Sequence, residues 1–135
     1  MKSMKRMMIT GKVVHGHKRG RKLGFPTANL ELQEGLSLPK HGVYASIAII
    51  DGQNYHAVAH IGCAKTFKAV SPTVEIHIHQ FDEDIYGQIV QVELISYLRP
   101  MKKFDSPELL IEQLVQDSHK TTEILDLLTQ KSSAV

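Results

Sequence analysis

Three stretches of this sequence concentrate side chains able to do chemistry. The first is GHKRGRKLGFPTANL, from Gly16 to Leu30. Its glycines let backbone N–H groups approach a ligand, its cations neutralise phosphate, and it ends on a hydroxyl and an amide, Thr27 and Asn29. In an extended segment those two side chains point the same way and offer neutral oxygens to a hard cation such as Mg²⁺ whose charge is already matched by phosphates. The same residue types also cap turns. No GxxxxGK followed by Ser or Thr occurs and no GxGxxG, so the segment is neither a Walker A loop nor a Rossmann fingerprint. Lys18, Arg19, Arg21 and Lys22, beside His15 and His17, suit a nucleotide polyphosphate, an RNA backbone or plain solvent.

The second stretch is VEIHIHQF, Val74 to Phe81. A period of two sets Val74, Ile76 and Ile78 on one face and Glu75, His77 and His79 on the other. A carboxylate there can act as general base on a hydroxyl, the trio can ligate a metal, or the face can simply be solvated. His77-x-His79 followed by Glu83 imitates the first metal motif of cupin barrels, but no second glycine-rich turn and histidine in that arrangement follows. The third stretch is YLRPMKKF, Tyr97 to Phe104, where Arg99 and Phe104 can hold a planar aromatic ligand, or Phe104 can staple a helix start. Cys63, the sole cysteine, excludes an internal disulfide and a four-thiolate zinc site, and is expected to pack as a small hydrophobe.

These segments need a scaffold, and 135 residues supply one domain, 1–135, with no linker, repeat or low-complexity stretch. No apolar run approaches the ~20 residues that cross a bilayer, and no secretion signal follows Met1. The cytoplasm is the expected location. A formal charge of +2 is too mild to argue for nucleic acid by itself, which is not an expected partner. Strands are expected over Met7–Val14, Gly42–Ile50, Tyr55–Ile61, Val74–Phe81 and Gln88–Tyr97, with a loop to about Asn29, a turn at Asp51–Asn54 and an irregular stretch from Gly62 to Pro72. Short, closely spaced strands favour a barrel or sandwich. Asp105-Ser106-Pro107-Glu108 reads as a helix start, and a helix over about 106–128 turns Leu110, Ile111, Leu114, Val115, Ser118, Thr122, Leu125 and Leu128 towards the strands. The tail from Lys131 is expected to fray.

Taken in order, GKVVHGHKRGRKLGFPTANL, HGVYASI, HIGCAKTF, VEIHIHQFDEDIYGQIVQVELI and YLRPMKKFDSPELLIEQLVQD resemble the riboflavin kinase family over about Gly11 to Leu128. The resemblance implies a six-stranded antiparallel Greek-key β-barrel with a C-terminal helix, converting riboflavin and ATP to FMN and ADP; apart from it, the chain is expected to be a monomer. By the same similarity, Thr27 and Asn29 hold Mg²⁺ and the ATP phosphates, and Gly16 and Lys22 close over the nucleotide. Ile78, His79 and Tyr86 line the adenine side; Arg99, Lys102 and Phe104 hold the flavin; Glu75 is the catalytic base. Phosphoryl transfer asks for in-line positioning, charge neutralisation and one group to accept the hydroxyl proton, which fits this casting. Where the family has Pro-Thr-Phe after the Ile-Gly dipeptide, this chain reads Ala64-Lys65-Thr66-Phe67. Bacterial members commonly carry an adenylyltransferase domain ahead of the kinase; a complete chain of this sequence is expected to make FMN and not FAD, the alternative being one domain of a longer protein. The alternative is a non-catalytic flavin- or RNA-binding regulator on the same barrel.

Overall fold

Alternating apolar residues organise the strands of the computed structural model, which describes residues 7–14, 27–32, 37–65, 70–79, 81 and 83–133. The strands are β1 (Met7–Val14), β2 (Thr27–Leu32), β3 (Gly42–Ile50), β4 (Gln53–Lys65), β5 (Val70–Ile78) and β6 (Ile89–Arg99), followed by helix α1 (Pro107–Ser133). Every neighbouring pair is antiparallel. Their order, β1-β2-β5-β4-β3-β6, closes on itself through β1 and β6. β3, β4 and β5 form a meander and β6 returns beside β3, which is the Greek-key pattern. Closure leaves the paired strands without a free edge, as a small barrel requires.

One side chain in two from each strand fills the interior. Ile9, Leu30, Tyr44, Ala59, Ile61, Val74, Ile76, Val90, Val92 and Leu94 are all buried there. The Gly42–Ser46 half of β3 is buried on both faces, because α1 packs on the outside of β3 and β4 and covers Val43, Ala45 and Val58. At Asp51-Gly52 both residues have positive φ, 51° and 78°, the backbone of a two-residue hairpin turn that matches strand twist. β4 therefore starts at Gln53, earlier than the sequence suggested.

Three further strand boundaries differ from expectation. Thr27 begins β2 instead of closing a loop, because β5 pairs it at His77 and β1 holds the strand from Asn29 onwards, overriding a weak propensity. The stretch expected to be irregular forms the end of β4 and the start of β5, with Gly62, Cys63, Ala64 and Lys65 opposite Thr73, Pro72, Ser71 and Val70. β2 pairs β5 only as far as Val74, and β3 pairs β4 only as far as Ile61, so this hairpin arm projects past the barrel. Pro72, which lacks an N–H, is tolerated in the arm because a ladder runs on one side only. The position also corrects the reading of Cys63, which is exposed on the arm beyond the core's end. Finally, β5 ends at Ile78, and Phe81 enters the core from outside the strand, edge-on to Tyr55 at 5.0 Å.

Ser106 caps α1: its Oγ accepts from the Leu109 N–H at 3.3 Å, with Pro107 in the first turn. The helix runs on to Ser133, past the expected end at 128. Its buried stripe is rotated from expectation. Leu114, Ser118 and Leu125 face the barrel as expected, but Asp117 and Thr121 are buried with them, while Val115 is 39% exposed.

Candidate functional site

The strand registers carry the candidate residues to one wall of the barrel. On β2 and β5, Thr27 stands opposite His77 and Asn29 opposite Glu75. On β4 and β5, Glu75 also stands opposite His60. His60 in turn pairs with Val43, and Val43 with Arg99. A single row of cross-strand partners thus runs Asn29, Glu75, His60, Val43, Arg99, and directly opposed residues share a face. The face is the outer one, since Val74 and Ile76 on either side of Glu75 are in the core.

A cavity of about 300 Å³ lies over this wall, at the lower end of the range occupied by small-molecule sites. Thr27, Glu75, Arg99, Lys102 and Phe104 all line it. His60 and His77 complete its polar wall, and Met101, Leu110 and Leu114 give it an apolar side beneath the start of α1. Separate segments therefore bring the expected base, one expected metal ligand and all three expected flavin residues into one space. Arg99 and Lys102 lie over the Phe104 ring at 5.9 and 5.6 Å from its centroid.

The interactions along the wall are specific. Thr27 Oγ1 is 3.1 Å from Nδ1 of His77, and Nε2 of His77 is 3.6 Å from Oε1 of Glu75. The Glu75 side chain keeps 33% of its surface open, whereas that of His77 keeps 9%. The His60 ring meets His77 edge-on at 4.9 Å, and its Nδ1 is buried with no hydrogen-bond partner among the described residues. Burial, reinforced by His77 and Arg99, pulls the His60 pKa down to about 3, so this imidazole is neutral at physiological pH. Arg99 is fixed from the other side. Its Nε and Nη2 donate to Asp117 at 3.0 and 2.8 Å, Gln113 donates to the same carboxylate at 3.1 Å, and Nη1 donates to the Pro100 carbonyl at 3.1 Å.

The remaining expected residues lie elsewhere. Ile78 packs in the core; His79 is half-buried beyond the end of β5, where burial, with His56 and His119, lowers its pKa; neither of these, nor Tyr86, lines the cavity. Tyr86 is 60% exposed in the turn before β6, its amide donating to Asp84 at 3.0 Å. Gly16 and Lys22 fall outside the described residues. Among the described residues no three His, Cys, Asp or Glu side chains converge as a metal site, so Glu75, His77 and His79 do not form a metal-binding trio. Sequence reasoning missed His60 and Asp117. A signal for Asp117 existed: it is a carboxylate within one helical turn of Leu114 and Ser118, on the apolar stripe.

Comparison with known proteins agrees with this geometry. The family model described as flavokinase, riboflavin kinase, matches residues 3–125. A bifunctional riboflavin kinase/FMN adenylyltransferase of Bacillus subtilis is 36% identical over 115 residues, covering 83% of this chain and 36% of that protein. The chain thus spans about a third of the length of that relative, 36%. A riboflavin kinase of Mus musculus is 42% identical over 123 residues, covering 87% of this chain and 79% of that protein. The crystal structure of a riboflavin kinase from Trypanosoma brucei superposes with a TM-score of 0.65 at 27% identity, covering 93% of this chain and 83% of that one. With the family model spanning nearly all of the sequence and a cavity lined by the residues its motifs single out, the chain belongs to the riboflavin kinase family.

Proposed function

We propose that this chain transfers the γ-phosphoryl group of ATP to the ribityl 5′-hydroxyl of riboflavin, giving FMN and ADP. The observation that carries the reading is the shared cavity: the Glu75 carboxylate, Thr27 and the Arg99–Lys102–Phe104 group line one space. Phe104 offers an aromatic face to the flavin ring, and Lys102 and Arg99 offer cations beside it. A ribityl chain running from that end towards β5 brings its terminal hydroxyl to Glu75. There the carboxylate accepts the hydroxyl proton while the oxygen forms its bond to the γ-phosphorus. The bond from that phosphorus to the β–γ bridging oxygen breaks, and ADP leaves with the electron pair. Glu75 then returns the proton to solvent, for which its open surface is suited.

Thr27 and Asn29 are the residues that would hold Mg²⁺ with the nucleotide phosphates. Both sit on the β2 face that opposes Glu75 and His77, and their donors are a hydroxyl and an amide. Two neutral oxygens fit a divalent ion that arrives with its charge matched by phosphates. When bound, the ion neutralises charge on the transferring group. Gly16 and Lys22 are assigned to the nucleotide phosphates, and Ile78, His79 and Tyr86 to its base, on the resemblance alone. We also assign the chain to the cytoplasm, as one domain acting as a monomer.

Chromatographic detection of FMN after incubation with MgATP and riboflavin tests the activity. Glu75→Gln is expected to lower kcat by about 100-fold or more while sparing flavin affinity; full activity in that variant would remove Glu75 from the base role. The non-catalytic alternative has less support, since a regulator has no need of a carboxylate held between the flavin and phosphate groups.

A further inference from the structure

We propose that His77 is a positioning residue for the phosphoryl transfer, using its two ring nitrogens to hold Thr27 and Glu75 in one mutual orientation. The inference rests on the kinase reading above and extends it to a residue that touches neither reacting oxygen. His77 lies directly opposite Thr27 in the β2/β5 register, and Glu75 precedes it by one period of the same strand. Nδ1 lies 3.1 Å from the Thr27 hydroxyl and Nε2 lies 3.6 Å from the Glu75 carboxylate. The imidazole therefore stands between the side chain assigned to the metal-bound phosphates and the side chain assigned to the alcohol.

The two nitrogens of a neutral imidazole are not equivalent, because one donates and the other accepts. A threonine hydroxyl that turns a lone pair towards a cation must send its hydrogen elsewhere, and Nδ1 of His77 is within hydrogen-bond reach of it. With Nδ1 accepting, Nε2 carries the ring hydrogen, 3.6 Å from a Glu75 carboxylate oxygen. One tautomer then serves both neighbours: it aims the Thr27 lone pair and restrains one carboxylate oxygen. The ring is in a position to impose that order. Its side chain is 9% exposed against 33% for Glu75, and His60 packs edge-on against it at 4.9 Å. A fixed ring beside a more open carboxylate sets the direction of control.

Two near-isosteres separate the contacts. Asparagine places an amide near the Nδ1 position and falls short of Glu75; glutamine reaches the Nε2 position and leaves Thr27. His77→Asn is expected to keep its affinity for MgADP, measured by calorimetric titration without turnover, and to lose about 100-fold in kcat. His77→Gln is expected to weaken MgADP about tenfold, the loss of one hydrogen bond's worth of binding, with kcat largely spared. FMN affinity, read by fluorescence, stays the same in both. Thr27→Val removes the hydroxyl oxygen itself and is expected to weaken MgADP at least as much as His77→Gln does, with the double variant no weaker than Thr27→Val alone. Wild-type protein that forms no FMN overturns the kinase reading and this role with it. Active wild-type protein whose two His77 variants decline together in kcat, MgADP affinity and FMN affinity, or do not change at all, overturns the positioning role alone.

Discussion

Glu75 owes its place to a strand whose other face is in the core, and the residues around it show how far side-chain chemistry can be read from spacing. The alternation in VEIHIHQF was enough to put Glu75 and His77 on one face, and the TAN segment was enough to put Thr27 and Asn29 on another. That the two faces adjoin depends on the β2/β5 register, which no local pattern encodes. His60 was illegible for a related reason: it lies on the outward face of β4, and only the cover of α1 and the cavity rim leaves an outward histidine half-buried with its Nδ1 shut off from water. Its burial has a measurable outcome. Because the folded-state pKa is about 3 against 6.5 for the free side chain, the unfolded chain takes up the proton first. Stability is therefore whole above about pH 6.5 and declines as pH falls towards 3, by roughly 3 kcal/mol at pH 4 from this group. Urea midpoints at pH 7 and pH 4 should differ less in His60→Leu than in the wild type, and equal differences would show that His60 does not titrate in this way.

At the scale of elements, α1 is fastened to the barrel by more than its apolar stripe. Asp117 is 3% exposed and receives Arg99 from β6 and Gln113 from its own helix. Removing one partner of a buried pair strands the other, so Asp117→Ala should cost about 3 kcal/mol, read as a shift in denaturant midpoint. The same variant frees the guanidinium that faces the cavity, and riboflavin affinity should fall with it; unchanged affinity would separate the strut from the site. A second element is fixed by close approach. Gly42 has φ of 153°, and a Cβ there would enter the Tyr97 ring on β6. Gly42→Ala should destabilise by about 1–3 kcal/mol, checked by the same titration. The helix start was legible because caps are local, whereas the stripe was misplaced at Val115 because the apolar period alone ignored a buried carboxylate. The continuation of β4 and β5 through Gly62 and Pro72 was hidden by residues that resist strand formation and pair only because their neighbours do.

For the whole molecule, the order of strands follows from closure: β1 is shared by β2 and β6, and no strand of the barrel proper lacks a partner on either side. The barrel class was legible from many short alternating strands, while the Greek-key topology was implied by the family resemblance and the strand order comes from the structure. Since the cavity is built jointly by the barrel wall and α1, ligands that fill it should stabilise both together. FMN with MgADP at about 100 times their dissociation constants is expected to add about 3 kcal/mol per independent site, raising a single thermal transition. Two transitions, with only one responding, would mean that helix and barrel unfold separately. The arm formed by the ends of β4 and β5 carries the chain's sole thiol, Cys63, in the open. A maleimide dye would therefore attach at one known point, outside the barrel's interior, and report on that projection without any engineered handle.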